Sequence, residues 1–210
     1  MSQSTTGGAL TLEDRARRVG HHLWLEMRLF ELLGGWVATT PELAVKPVLA
    51  AHSRHHAWHA ELWHGHLPRL AGRDPGELVV PHHEGLVDAL DALDPDGVPR
   101  DGDGAGPDGA GEAPATVERL VGVYRVVLPR LIAAYRDDLA GASPVADAPV
   151  MRSLRFMLAD ELDDWQEGEA LVHDLVRSPE RARRAAAHQA HVESLVVAAG
   201  GIVGPVPPPA

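Results

Sequence analysis

Apolar positions recur along most of this chain at spacings of three and four, the period of a helix buried on one face. Thr11 can cap a first helix at Leu12, with Asp14 as an imperfect capping-box partner. Val19, Leu23, Phe30, Leu33 and Val37 then form a stripe that predicts a helix over about 12–38. Thr40 followed by Pro41 reads as an N-cap with proline in the first turn, so a second helix should run from there to His66 and stop at Pro68. Pro47 lies near its start and allows a break in the first turns. Residues 69–80 read as a loop or short extended piece, and 81–93 as a short helix. A third long helix is expected over 115–140, with Val117, Leu120, Val121, Tyr124, Leu128, Leu131 and Tyr135 on one face and a kink at Pro129. A fourth spans 147–176 on Val150, Leu154, Met157, Val172 and Leu175, and Ser178-Pro179 opens a fifth that ends near 199.

Between the second and third long helices lies DPDGVPRDGDGAGPDGAGEAPA (94–115), nearly all Gly, Pro, Asp and Ala. Its composition predicts a disordered insert. Residues 1–10 and the tail GGIVGPVPPPA (200–210) read as flexible ends of a single domain, 11–199. No segment alternates with period two, and no hairpin or internal repeat is visible. The fold class is therefore all-α. The long connection between the second and third helices suits an up-down-down-up four-helix bundle with one crossover and an additional C-terminal helix.

Composition narrows the function. The 210 residues include no cysteine, which removes disulfides, thiolate metal sites and a cysteine nucleophile. A net charge of −11 speaks against general nucleic-acid binding. The one basic run, 177–189, reads as a solvated helix face. No window approaches a membrane span, and the N-terminus lacks the apolar core of a signal peptide, so a cytoplasmic protein is expected. Lys46 is the only lysine among many arginines, a bias of high-GC coding that carries no functional meaning.

Chemistry enters where polar groups occupy core positions. HSRHHAWHAELWHGH (52–66) holds six of the 13 histidines. Projected as a helix, the apolar face of Val45, Val48 and Leu49 continues into His52, His55 or His56, and His59, then Leu62 or Trp63. The first helix places Glu26 at its centre with His22 one turn before. The fourth places Glu161 and Asp164 one turn apart. Burying unpaired carboxylates costs several kcal/mol each, so these groups must pair with the histidines or share a cation with them. The candidate ligands are Glu26, His52, His56, His59, Glu161 and Asp164. His22, His55, Glu61, Tyr124 and Tyr135 are expected to support them or to pack. Trp63 is expected in the core and Trp58 over a helix contact. The third helix offers no central carboxylate.

The stretches WLEMRLFELLGGWVATTPEL, HSRHHAWHAELW and LADELDDWQEGEAL resemble ferritin-like proteins of high-GC bacteria. That resemblance implies a Glu on the first helix, Glu-x-x-His on the second, Glu on the third and Glu-x-x-His on the fourth. Glu26 matches the first. His52, His56 and His59 stand where the second motif falls, with His-x-x-His as the nearest pattern. Glu161 matches the fourth, with Asp164 in place of its histidine. The third has no counterpart, since Glu118 lies off the core face. The resemblance implies a non-haem iron or manganese oxidase or hydroxylase acting on a small molecule, while the donor types suit zinc as well. Because one branch of this fold acts on tRNA, an RNA-modifying hydroxylase is a third reading, weakened by the acidic balance. The alternative from a different class is a helical bundle, metal-free or zinc-binding, whose polar cluster is structural and which binds a partner or dimerises.

Overall fold

The computed structural model describes residues 11–94 and 116–204, so the insert predicted over 94–115 falls outside the described residues except for Asp94. Among the described residues the chain is all-helical, with six α-helices and no strand. They are α1 (Leu12–Thr39), α2 (Val45–His66), α3 (Gly85–Asp91), α4, α5 (Ala148–Leu175) and α6 (Pro179–Ala198). The helix α4 comprises Thr116–Val121, a π-helical stretch Gly122–Val127 and Leu128–Gly141. No helix of the described residues is long and apolar enough to cross a membrane.

Capping fixes several ends as the sequence implies. The Thr11 hydroxyl accepts from Asp14 N at 3.1 Å, and Ser178 accepts from Arg181 N at 3.2 Å. The start of α2 differs. It begins at Val45, not at Pro41, so the Thr40-Pro41 cap is not used. Pro47 explains the shift. In a helix begun at Pro41 its ring would meet the carbonyl of residue 43 and its missing N–H would break the ladder. In one begun at Val45 it lies in the first turn, where N–H groups have no intrahelical partner. Pro129 acts similarly inside α4. The expected kink takes the form of the π-helical stretch just before it, and Arg130 Nη1 donates to the Val126 carbonyl at 2.9 Å.

The helices α1 and α2 pack along their length, α5 packs on α2 and α4, and α6 covers α3 and the first half of α4. The contact pairs Glu26–His56, His52–Tyr124, Tyr135–Glu26, His22–Asp138 and His55–Asp164 set the directions. α1 and α5 run one way, α2 and α4 the other. The core is leucine-rich: Leu25, Leu29, Leu33, Leu49, Leu86, Leu90, Leu120 and Leu128 are buried. At this scale the hydrophobic effect supplies about 1.5–3 kcal/mol for each such side chain. On α1 the buried arc runs through Leu25, Leu29 and Leu33, which turns Phe30 outward to 45 % exposure, contrary to the stripe drawn from sequence. Trp58 is likewise exposed, at 46 %, whereas Trp63 is in the core. The loop after α2 holds a 3-10 turn, Pro75–Leu78, packed on Gly20 of α1. A Cβ there would lie 1.9 Å from the Leu78 carbonyl oxygen, so only glycine permits the approach. Beyond α6 the chain was expected loose, yet Ile202 and Val203 are buried in the core.

Candidate metal centre

Four side chains from three helices meet in the interior. Glu26 comes from α1, His56 and His59 from adjacent turns of α2, and Glu161 from the middle of α5. All four are completely buried. Each offers one ligand atom, these atoms lie within 4.8 Å of one another, and the group can hold a metal ion. His56 Nδ1 is 2.6 Å from Glu26 Oε2 and 3.4 Å from Glu161 Oε1. His59 Nδ1 is 3.2 Å from Glu161 Oε1 and 3.7 Å from Glu26 Oε1. Both histidines thus turn the same ring nitrogen toward both carboxylates. Separations of this size bracket the roughly 3–3.6 Å between ligand atoms that all lie about 2.0–2.2 Å from one cation.

Neighbours hold these groups in orientation. Tyr135 of α4 donates its hydroxyl proton to Glu26 Oε1 and accepts from Trp63 Nε1 at 3.1 Å. His59 Nε2 faces Asp160 Oδ2 at 3.2 Å, the carboxylate–histidine arrangement that fixes a ligand's tautomer. Two buried atoms of the cluster have no hydrogen-bond partner, Glu161 Oε2 and His56 Nε2. A closed hydrogen-bond network would satisfy both, because an unsatisfied buried polar atom costs about 1–3 kcal/mol. A carboxylate oxygen left free beside two imidazoles fits a cation.

The electrostatics follow from burial and close opposite charge. Burial opposes ionisation of Glu26, but His56 and His59 outweigh it and hold the carboxyl well below its usual range. Glu161 moves the other way, pushed up by burial and by the charge on Glu26 despite the two histidines. Burial disfavours charge on His56, yet Glu161 and Glu26 outweigh it and raise the imidazole. On His59 burial is again outweighed, here by hydrogen bonds to Glu161 and Glu26, and its value rises to about 11. Burial, reinforced by Glu26 and Glu161, pushes Tyr135 well above 10.

Six ligand candidates were read from the sequence, and four of them converge. His52 and Asp164 lie one turn away in a second tier, closer to solvent. His52 Nδ1 bonds the Tyr124 hydroxyl at 2.7 Å. Its Nε2 faces Glu167 Oε2 at 3.1 Å and Asp164 Oδ1 at 3.3 Å. His55, half-buried, turns Nδ1 to Asp164 at 3.0 Å. Burial, set against the two carboxylates, leaves His52 lowered. Of the supporting residues, Tyr135 contacts the centre, Tyr124 and His55 serve the second tier, and Glu61 is exposed on α2 with no role in either. His22 belongs to a third tier. Its ring stacks on Trp63 at 4.6 Å, and its Nε2 lies 2.7 Å from Asp138 Oδ2, which also pairs with Arg18.

α4 brings no carboxylate to the four-residue centre, but it does bring Asp138 to the third tier. Asp138 is one turn beyond Tyr135 on the same face, so extending that projection would have found it. Glu167 continues the Glu161–Asp164 spacing by three and was findable the same way. Asp160 lies off the Glu161–Asp164–Glu167 row and carries no such signal. Glu118 pairs with Arg184 at the α4–α6 contact, away from the centre.

The fold and site together define an all-helical protein with a buried centre of two histidines and two glutamates. Comparison with protein-family models, curated proteins and solved structures gives no match.

Proposed function

We propose that this chain is a ferritin-like metalloprotein that holds one divalent first-row cation, iron or manganese, between Glu26, His56, His59 and Glu161, and uses it to oxidise or hydroxylate a small molecule. The observation that supports this reading is the convergence of four fully buried donors, with one carboxylate oxygen left without a partner. Two imidazole nitrogens and up to four carboxylate oxygens suit the five- or six-coordinate preference of iron(II) and manganese(II). When bound, such a cation supplies one-electron redox chemistry with dioxygen or peroxide. The protein's part is to bind and orient. Tyr135 fixes Glu26, Asp160 fixes His59, and the leucine layers exclude water.

That complete burial also favours a second reading, a structural zinc site with all positions closed by protein. Elemental analysis of protein purified without a histidine tag or chelator separates the two. Iron or manganese near one equivalent is the expected result. Zinc near one equivalent selects the structural site. No metal, and none taken up on reconstitution, refutes both. Where the wild type holds a metal, Glu161→Ala should abolish binding while leaving helicity intact.

A further inference from the structure

The centre has no exposed ligand, so a hydrated cation needs a way in. Along the α2–α5 contact the polar side chains form a graded series. Glu167 is 57 % exposed, His55 25 %, Asp164 4 % and His52 1 %, and the centre itself 0 %. Donor atoms follow one another at single-contact distances, from Glu167 Oε2 to His52 Nε2 at 3.1 Å, on to Asp164 Oδ1 at 3.3 Å, with His55 Nδ1 flanking Asp164 at 3.0 Å. The spacing comes from the helices. Glu161, Asp164 and Glu167 are three apart on α5, and His52, His55 or His56, and His59 descend α2 against them. Tyr124 holds the His52 ring through Nδ1 and so leaves Nε2 pointing at the two carboxylates.

We infer that His52, His55, Asp164 and Glu167 form the loading route by which the cation passes from solvent to the buried centre. The inference rests on the proposed metal function. A divalent ion gives up its water reluctantly, and a row of carboxylate and imidazole donors replaces that water one ligand at a time. The outer members attract the ion electrostatically, and the inner ones lie a single helical turn from His56 and Glu161. Among the described residues only the four-residue centre gathers its ligand atoms within 4.8 Å. The outer donors stand in a row and not around one point, an arrangement for transit and not for a resting site.

The test is stopped-flow mixing of the metal-free full chain with cobalt(II), whose visible absorbance reports coordination. Uptake is compared with that of the double variant Asp164→Asn/Glu167→Gln and of Glu61→Gln, which neutralises an exposed carboxylate on α2 outside the row. The double variant should load roughly tenfold more slowly, the low end of what charge focusing contributes to association. Its final stoichiometry and equilibrium affinity should match the wild type. Wild-type uptake should slow as salt rises, and that of the double variant less so. An unchanged rate in the double variant overturns the inference, as does equal slowing in Glu61→Gln, which would mark a general charge effect. Loss of stoichiometry would also overturn it by making these residues part of the resting site. Failure of the wild type to bind cobalt(II) at all overturns the metal function as well, and is seen before any variant is compared.

Discussion

Cation binding at this centre should release protons. His59 has both ring nitrogens against carboxylates, Nδ1 on Glu161 and Nε2 on Asp160, each at 3.2 Å. Only an imidazolium donates in both directions, which agrees with its elevation to about 11. His56 Nδ1 lies 2.6 Å from Glu26, a contact that also contains a proton, and the two carboxylates raise this group too. A divalent cation bound through Nδ1 of both rings would displace the extra proton of the His59 imidazolium, and a second one wherever His56 is also charged. Each proton displaced steepens apparent affinity by about tenfold per pH unit, or about 1.4 kcal/mol. The His59 proton alone therefore gives about hundredfold tighter binding at pH 8 than at pH 6, or about 2.7 kcal/mol, and a second displaced proton would square that factor. The metal-free protein behaves oppositely. Stabilisation from a raised His59 is full below 6.5 and is lost as pH rises toward about 11. Stabilisation from a depressed Glu26 is present above 4.5 and is lost in acid. The gap in Tm between loaded and metal-free protein should widen from pH 6 to pH 8. Calorimetric titration with cobalt(II), in buffers of different ionisation heat, counts the protons directly. A slope of one would mean that His56 is neutral and only His59 is charged. A slope of zero would refute the reasoning, because it requires neutral imidazoles where the geometry demands donors.

Three further outcomes follow from single contacts. Tyr135→Phe strips Glu26 of its donor and Trp63 Nε1 of its acceptor, so urea unfolding of the metal-free protein should show a loss of about 2–4 kcal/mol. Asp138→Ala leaves buried His22 and Arg18 without their carboxylate, which should cost about 3–5 kcal/mol in the same assay and leave metal stoichiometry unchanged. Gly168→Ala would set a methyl 2.2 Å from the Tyr124 ring, so helix propensity is outweighed and thermal unfolding should show a loss of about 1–3 kcal/mol.

The helices were legible because their signals are local. Thr11, Ser178 and Pro179 mark ends through their own backbone chemistry, and leucine spacing marks the faces. The start of α2 was not legible in the same way, since Thr40-Pro41 is a sound cap that Pro47 overrides from a turn and a half away. Phe30 shows a related limit. A stripe drawn through one helix fixes its face only to about one residue position, and the partner helices decide whether Leu29 or Phe30 turns inward. The same tolerance governed the site. Glu26, His56, His59 and Glu161 were visible as polar breaks in apolar stripes. Whether His52 and Asp164 share their tier depends on the stagger between α2 and α5, a tertiary quantity. Asp138 was missed because the projection of α4 stopped at Tyr135.

The three tiers have different physical standing. At the Trp63 end, Arg18 and His22 both pair with Asp138 in a part-buried ion-pair network that leaves His22 Nδ1 without a partner. At the solvent end, Glu167 and His55 reach water. Among the described residues only the middle tier gathers four fully buried ligand atoms within 4.8 Å of one another. Apolar residues of equal volume in its place would be neutral or more stable by about 1–4 kcal/mol. The tier therefore does not hold the fold together; the leucines on either side of it do. A metal-free seam that existed for packing specificity would need each donor matched to an acceptor, as Trp63, Tyr135 and Glu26 are matched. Glu161 Oε2 and His56 Nε2 break that rule at the point where four ligands converge. A divalent cation would complete the carboxylate and leave the centre without net buried charge, since its two positive charges balance Glu26 and Glu161.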